Sequence, residues 1–180
     1  WLYDYAGVNP QNGNALWRNE EGLLTENYGE ARRINAGSPE PLWTGGFNTE
    51  LSWRGISLGI QLEARYGNKV LNQDRSLFEA DGSYGDSNIW KGAMNYWKKP
   101  GDTNVLPKPV YNNSSNSSAI STRYLEDGSY LRIKDITLAY SLPSKWTKKA
   151  LMSGVRIYAS ALNLYTFHNM NYWDPEHGTS

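Results

Sequence analysis

The sequence contains no cysteine among its 180 residues. Disulfide bonds, zinc–thiolate sites and cysteine nucleophiles are therefore excluded. It also lacks any run of 18 apolar residues, so no transmembrane helix is predicted. A transmembrane β-strand is still compatible with the sequence, because about 9–11 residues of alternating polarity are enough for one.

Net charge is absent as well, since 18 basic residues balance 18 acidic ones. Nothing in this balance indicates a nucleic-acid partner. Aromatic residues reach 13%, with 8 Trp and 13 Tyr but only 3 Phe. Amphipathic rings of this kind suit a membrane interface or a sugar-binding surface better than a dry core.

Two parts of the chain alternate between apolar and polar residues, which predicts β-strands with one apolar face. The first is residues 45–66, where Arg54-Gly55 makes a tight turn between two strands. The second is residues 126–167, where two strands are joined through "PSKWTKKALMSG". In this second pair the apolar phase slips between Ile133 and Ile136, and a bulge near Asp135 would reconcile it. The last strand changes phase again at Leu162 and Leu164.

The remaining parts read as loops. Residues 1–44 hold turn-forming pairs and predict small hairpins. Residues 67–125 form a long loop rich in Gly, Asn, Ser and Pro, in which "YNNSSNSS" is expected to be mobile, and residues 168–180 form a last loop. Short turns on one side and long loops on the other are typical of an outer-membrane barrel. Four strands cannot close a barrel, so we expect the chain to be part of a larger one.

The chain resembles the C-terminal region of the SusC/RagA-like TonB-dependent transporters of the outer membrane in Bacteroidetes-type bacteria. The matching stretches are "AGVNPQNGNALW", "PEPLWTGGFNTELSWRGISLGIQLEARYGNKV", "DGSYLRIKDITLAYSLPSKW" and "VRIYASALNLYTFHNMNYWDPE". They follow the family's order and spacing and touch most of the chain. Ala139 departs from the pattern, because the family commonly has Gly there.

The resemblance implies an all-β fold, an antiparallel transmembrane β-barrel segment with long extracellular loops. It implies about four strands of a larger barrel of 22 strands. The parent transporter would add an N-terminal plug, a TonB-contacting segment and a SusD-like surface lipoprotein, and would import glycans or oligopeptides. This sequence contains neither the plug nor the usual closing strand, and because it begins at Trp1 we expect a processed product or a fragment. No enzyme activity, cofactor, metal or nucleic-acid partner is expected.

The resemblance also assigns the two faces of the strands and the ends of the barrel. The turn at Arg54-Gly55 and the connection from Pro143 to Gly154 would be periplasmic, whereas loops 1–44, 67–125 and 168–180 would be extracellular. The lipid-facing residues would be Ile56, Leu58, Ile60, Leu62, Ile136, Leu138, Tyr140 and Leu142. The lumen-facing residues would be Ser57, Gln61, Glu63, Arg65, Thr137 and Ser141. The candidates for interfacial aromatic girdles are Trp53, Trp146, Tyr66, Tyr140 and Tyr158.

Candidate binding residues lie in the long loop. Trp90, Tyr96 and Trp97 could contact a substrate or a lid protein, and the alternative is that they pack the loop on itself. Three other candidate sites have weaker support: calcium at Asp81, Asp86 and Asn88; a metal at His168 and His177; and glycosidase carboxylates at Glu20, Glu21 and Glu63. In each case the spacing or the lack of a partner favours ordinary turn, loop or lumen residues.

A soluble, aromatic-rich β-sandwich that binds carbohydrate is the alternative function. The two hypotheses differ in where the apolar face lies. A sandwich buries Ile56, Leu58, Ile60 and Leu62 inside the protein, whereas a barrel leaves them on an outer surface.

Overall fold

The computed structural model describes residues 1–82, 88–149, 151–171 and 173–176. The fold is all-β with antiparallel strand pairing and little helix. The strands are β1 (Leu2–Tyr3), β2 (Tyr5–Val8), β3 (Ala15–Arg18), β4 (Leu24–Thr25), β5 (Arg33–Ile34), β6 (Trp43–Trp53), β7 (Ile56–Tyr66), β8 (Lys69–Leu71), β9 (Leu125–Asp127), β10 (Tyr130–Ser141) and β11 (Arg156–His168). The helices are α1 (Asp74–Phe78) and α2 (Ser144–Lys149), with 3-10 turns at Tyr28–Glu30, Lys91–Met94 and Thr122–Tyr124. Within the described ranges, no helix has the length and apolar character needed to cross a membrane.

The four long strands form the main sheet in the order β11-β10-β7-β6. In this sheet Leu58 pairs with Leu51 of β6 and with Leu138 of β10. The predicted two-residue turn between β6 and β7 is confirmed, with φ of 49° at Arg54 and 87° at Gly55. Two successive positive φ angles give the twist that joins antiparallel strands most directly.

The predicted bulge in β10 is confirmed. Its register shifts between Ile133 and Asp135 against both β7 and β11. Ile133 then pairs with Leu62, and Ile136 pairs with Ile60, so both residues share one face despite their odd and even numbers. One extra residue therefore keeps a single apolar face along the whole strand.

The structure corrects the girdle prediction for Tyr158 and explains the phase change in β11. Tyr158 pairs with Ala139, so it lies on the polar face, because neighbours across a sheet share a face. Leu162 pairs with Asp135 and lies on that face too. Asn163 has a φ of 50°, and the β11 register shifts here against the β10 bulge.

The chain divides into two compact units. The loop unit comprises residues 1–37 and 70–126, and the sheet unit comprises residues 38–69 and 127–176. The chain passes from one unit to the other within β8 and again within β9, and these two short strands pair with each other. The main sheet belongs wholly to the sheet unit.

The loop unit has an aromatic core. Trp17 and Tyr124 are fully buried. The ring of Trp17 makes edge contacts with Tyr5 and Tyr28, with centroids 5.5 Å and 5.1 Å away. The strands around it are β2-β3-β4, which form successive small hairpins, and β1-β5, which pair across the intervening strands.

The expectation of a mobile segment at "YNNSSNSS" is wrong. Ser115 and Ser117 are each only 1% exposed. The Ser115 carbonyl accepts a hydrogen bond from Trp17 Nε1 at 2.9 Å, and its hydroxyl accepts one from the Ala15 N–H at 3.3 Å. Low sequence complexity predicts disorder only when the backbone has no partners, and here the buried strand β3 supplies them.

Candidate functional surfaces

One face of the main sheet is apolar across all four strands. Its register rows are Trp53–Ile56–Tyr140–Ile157, Leu51–Leu58–Leu138–Ala159, Thr49–Ile60–Ile136–Ala161 and Phe47–Leu62–Ile133–Tyr165. Every apolar position predicted for β7 and β10 lies in these rows, and Leu142 follows directly after β10. Side chains on this face are open to the exterior: Leu51 is 60% exposed, Leu138 52% and Ile157 62%.

The opposite face is polar and holds all six of the residues predicted to face the lumen. Its rows include Ser52–Ser57–Ala139, Glu50–Gly59–Thr137, Asn48–Gln61–Asp135, Gly46–Glu63–Arg132 and Thr44–Arg65–Tyr130, with Ser141 opposite Arg156. Ala139 is only 2% exposed. Its small side chain agrees with the family's preference for Gly at this place, because little room is left beside it.

Ionic contacts join side chains across the polar face. Glu63 accepts a hydrogen bond from the Tyr130 hydroxyl at 2.8 Å and pairs with Lys134 Nζ at 3.0 Å. The carboxylate that sequence reasoning considered for catalysis is thus held by a phenol and an ammonium group. These contacts cross between β7 and β10 and fix the register of the two strands.

Arg132 ties the last described residues of the chain to this face. Its side chain is 5% exposed and pairs with both Asp174 and Glu176, while its Nε donates to Thr166 Oγ1 at 2.9 Å. Sequence reasoning missed this cluster, because the acidic partners lie more than 40 residues away in a segment read as loop. One signal of the cluster was present in the sequence, because Arg132 lies at a position where the alternation predicts the polar face.

The three aromatic residues predicted to contact a substrate or lid have different surroundings. Trp97 is buried, and its Nε1 donates to the Pro10 carbonyl at 3.0 Å. A Cβ on Gly13 would come within 2.7 Å of its ring, so its packing leaves no room for a ligand. For Trp97 the contact prediction is therefore wrong, and the packing alternative applies.

Trp90 and Tyr96 are half-buried. The Trp90 ring stacks on Phe78 with centroids 5.3 Å apart and an interplanar angle of 14°. Lys98 Nζ lies 5.3 Å from the centre of the Tyr96 ring. For these two residues, contact with a ligand or lid stays a prediction.

Asp81, a candidate calcium ligand, is instead the partner of a buried arginine. Arg123 binds both carboxylate oxygens, through Nη1 and, at 3.1 Å, through Nη2. Burial raises the pKa of Asp81, and the hydrogen bond and charge of Arg123 oppose this. Burial acts to lower the pKa of Arg123, but the Asp81 contacts more than offset it and raise this pKa above its ordinary value. Asp86 lies outside the described residues, and Asn88 is exposed.

The other weak candidates gain no support from geometry. Among the residues that the structure describes, no group of three or more His, Asp or Glu side chains could hold a metal ion. Glu20 is exposed, Glu21 is exposed, and His168 is exposed at the end of β11. His177 lies outside the described residues.

Comparison with known proteins identifies the family. No family model matches the chain. TonB-dependent receptor P3 of Formosa agariphila is 33% identical over 146 residues, which is 81% of this chain and 14% of that protein. The solved structure of the RagAB peptide transporter superposes with a TM-score of 0.81 at 31% identity, over 97% of this chain and 20% of that chain. The chain belongs to the SusC/RagA-like TonB-dependent receptors.

Further relatives agree with this SusC/RagA-like membership. TonB-dependent receptor P26 of the same organism is 27% identical over 168 residues. The RagAB peptide importer in its open-open state matches with a TM-score of 0.80 at 30% identity. The chain spans about one seventh of the length of the curated relatives, so these SusC/RagA-like proteins extend far beyond it.

Proposed function

We propose that this chain forms part of the barrel of a SusC/RagA-like transporter in the outer membrane. It contributes four strands to a closed membrane-spanning barrel of about 22 strands. The loop unit is its extracellular part. The chain has no chemistry of its own, and import is driven through TonB by the plug of the whole receptor.

One observation carries this proposal: the main sheet has a continuous apolar face that is open to the exterior. Hydrocarbon can solvate such a face, whereas water cannot do so without a large cost in free energy. The predicted lipid-facing residues all belong to this side of the sheet or directly follow it. A soluble sandwich would cover the face with a second sheet, and the exposure of Leu51, Leu138 and Ile157 argues against that alternative.

The opposite face is proposed to line the lumen, where water and the plug tolerate charge. The arginine and lysine contacts on Glu63, Asp174 and Glu176 support this, because such ion pairs are expensive in hydrocarbon. Trp90 and Tyr96 remain the proposed contacts to substrate or lid, at the outer side.

For substrate and partner, we infer an oligopeptide or glycan delivered with a SusD-like surface lipoprotein. The solved relatives are described as a peptide transporter and importer, and this supports the peptide alternative. The assignment rests on relatives that extend well beyond this chain.

Uptake by cells tests the function directly. Cells that carry the receptor, cells that lack it and cells that lack TonB are given fluorescent oligopeptides or oligosaccharides of matched size. We expect uptake of one class by the first cells only. Equal uptake by all three strains would refute the transport function. Uptake that persists in the cells lacking TonB, but is absent from the cells lacking the receptor, would refute TonB as the energy source.

A further inference from the structure

The end of the main sheet that holds the Arg54-Gly55 turn has only positive charge. Pairing of Ile56 with Tyr140 places the start of β7 beside the end of β10, and α2 then leads into β11. Residues 51–57 and 138–160 contain no Asp or Glu. The basic residues of these two segments are Arg54, Lys145, Lys148, Lys149 and Arg156.

Toward the opposite end of the sheet, two cations have acidic partners. Lys134 pairs with Glu63 and Glu176, and Arg132 pairs with Asp174 and Glu176. Carboxylates therefore offset positive charge toward one end of the sheet, whereas the two segments at the other end contain none.

A groove on the apolar face runs to the charged end. It is an open depression of about 620 Å³, and Ala139 and Tyr158 also border it. Its lining on the apolar face comes from Ile56, Leu138, Tyr140, Ile157 and Ala159, with Arg54 at its end. This groove offers apolar side chains that can contact an acyl chain along its length, and one guanidinium group at its end.

The Arg54 side chain is positioned by its turn and by the neighbouring Trp53 ring. Ser141 donates its N–H to the Gly55 carbonyl at 2.7 Å, which fixes the turn against the end of β10. The Arg54 side chain lies over the Trp53 ring, 4.7 Å from its centre. Within the described part of the chain, no carboxylate forms an ion pair with Arg54. A fixed guanidinium without an anionic partner is suited to bind a phosphate group with two parallel hydrogen bonds.

We propose that this groove binds an anionic glycerophospholipid, with the phosphate on Arg54 and an acyl chain along Ile56, Leu138 and Ile157. The inference rests on the proposed function, since it needs the apolar face in a membrane. Exposed Trp53 and Trp146 at the same end, 66% and 61% exposed, match the depth of lipid head groups. The excess cations attract an anionic membrane surface and would repel a second copy of the same end.

Native mass spectrometry of the purified receptor tests the site. Delipidated receptor in detergent is given equal amounts of phosphatidylglycerol and phosphatidylethanolamine with matched acyl chains. Both lipids have a phosphate, but the ammonium group of phosphatidylethanolamine offsets its charge beside the cations at this end of the sheet, so we expect phosphatidylglycerol to be retained preferentially by about tenfold. Arg54→Gln should reduce this preference to about twofold or less. Arg65→Gln, at the far end of the same strand, is the matched control and should keep it.

The outcomes separate this inference from the proposed function. Equal retention of the two lipids by the unmodified receptor overturns the site without any variant, as does an Arg54→Gln receptor with unchanged preference. Displacement of phosphatidylglycerol by lipid A at equal concentration would overturn the choice of glycerophospholipid. A receptor that stays folded and monodisperse without detergent would instead refute the membrane function itself.

Discussion

The loop unit encloses an aromatic core, whereas the main sheet of the sheet unit leaves a whole apolar face exposed. The loop unit encloses Trp17, Tyr124 and the ion pair of Arg123 with Asp81, as a water-soluble domain does. The sheet unit buries a charged residue, Arg132, while Leu51 and Ile157 stay exposed. This difference is what the proposed function requires, with water around the loop unit and hydrocarbon on one face of the sheet.

The largest effect is expected from Trp17→Ala, which empties the core of the loop unit. Loss of a buried Trp costs about 3–5 kcal/mol. The Ser115 carbonyl would also lose its hydrogen-bond donor. Hydrogen exchange in the receptor should show faster exchange across residues 113–117. The control is Trp1→Ala, because Trp1 is 77% exposed; equal exchange in both variants would contradict the core assignment.

Leu58→Arg should act on the sheet unit through the membrane. An arginine on the lipid face near the bilayer midplane costs about 2–4 kcal/mol. Urea titration of receptor folded in lipid vesicles measures this loss. Gln61→Arg places the same side chain on the polar face and should change the free energy of unfolding far less. If both variants lose the same stability, the two faces are wrongly assigned.

Prediction from sequence succeeded where alternation was regular and failed where distant segments meet. The alternation of β7 and β10 predicted both faces, and the slip before Ile136 predicted the bulge. The burial of Ser115 was not predictable, because its partners lie about 100 residues away in β3. The same limit hid the Arg132 cluster and left the packing of Trp97 against Pro10 undecided. Local pattern determines a strand's faces, whereas loop packing depends on contacts of long sequence separation.

Arg132→Gln should release the last described residues from the polar face. Because Asp174 and Glu176 are 43% and 36% exposed, we expect a loss of about 1 kcal/mol. Limited proteolysis should then cut residues 171–176 faster. Arg156→Gln serves as the control, and equal cleavage in both variants would show that the ion pairs do not hold the segment.

A small effect is also expected at Glu26 of the loop unit. Its carboxylate accepts hydrogen bonds from Asn14 at 2.7 Å, Asn12 at 2.8 Å and Asn9, which hold its pKa below the ordinary value. A depressed pKa stabilises the fold above the pKa of the unfolded chain, and this contribution is lost as pH falls through the folded pKa.

Glu26→Gln should therefore lower stability near pH 7 by about 1 kcal/mol and flatten its acid dependence. Exchange protection of residues 9–14 between pH 7 and pH 4 reports this effect. The exposed Glu20→Gln is the control, and a variant with the original acid dependence would exclude Glu26 as its source.

Fluorescence quenching by brominated lipids tests the central claim most directly. This chain has no cysteine, so with any cysteine elsewhere in the receptor replaced by serine, the variants Leu138→Cys and Thr137→Cys each place one fluorophore on one of the two faces of the same strand. In vesicles containing brominated acyl chains, the label at position 138 should be strongly quenched and the label at position 137 should not. Equal quenching at both positions, or none at either, would contradict a sheet with hydrocarbon on one face and water on the other.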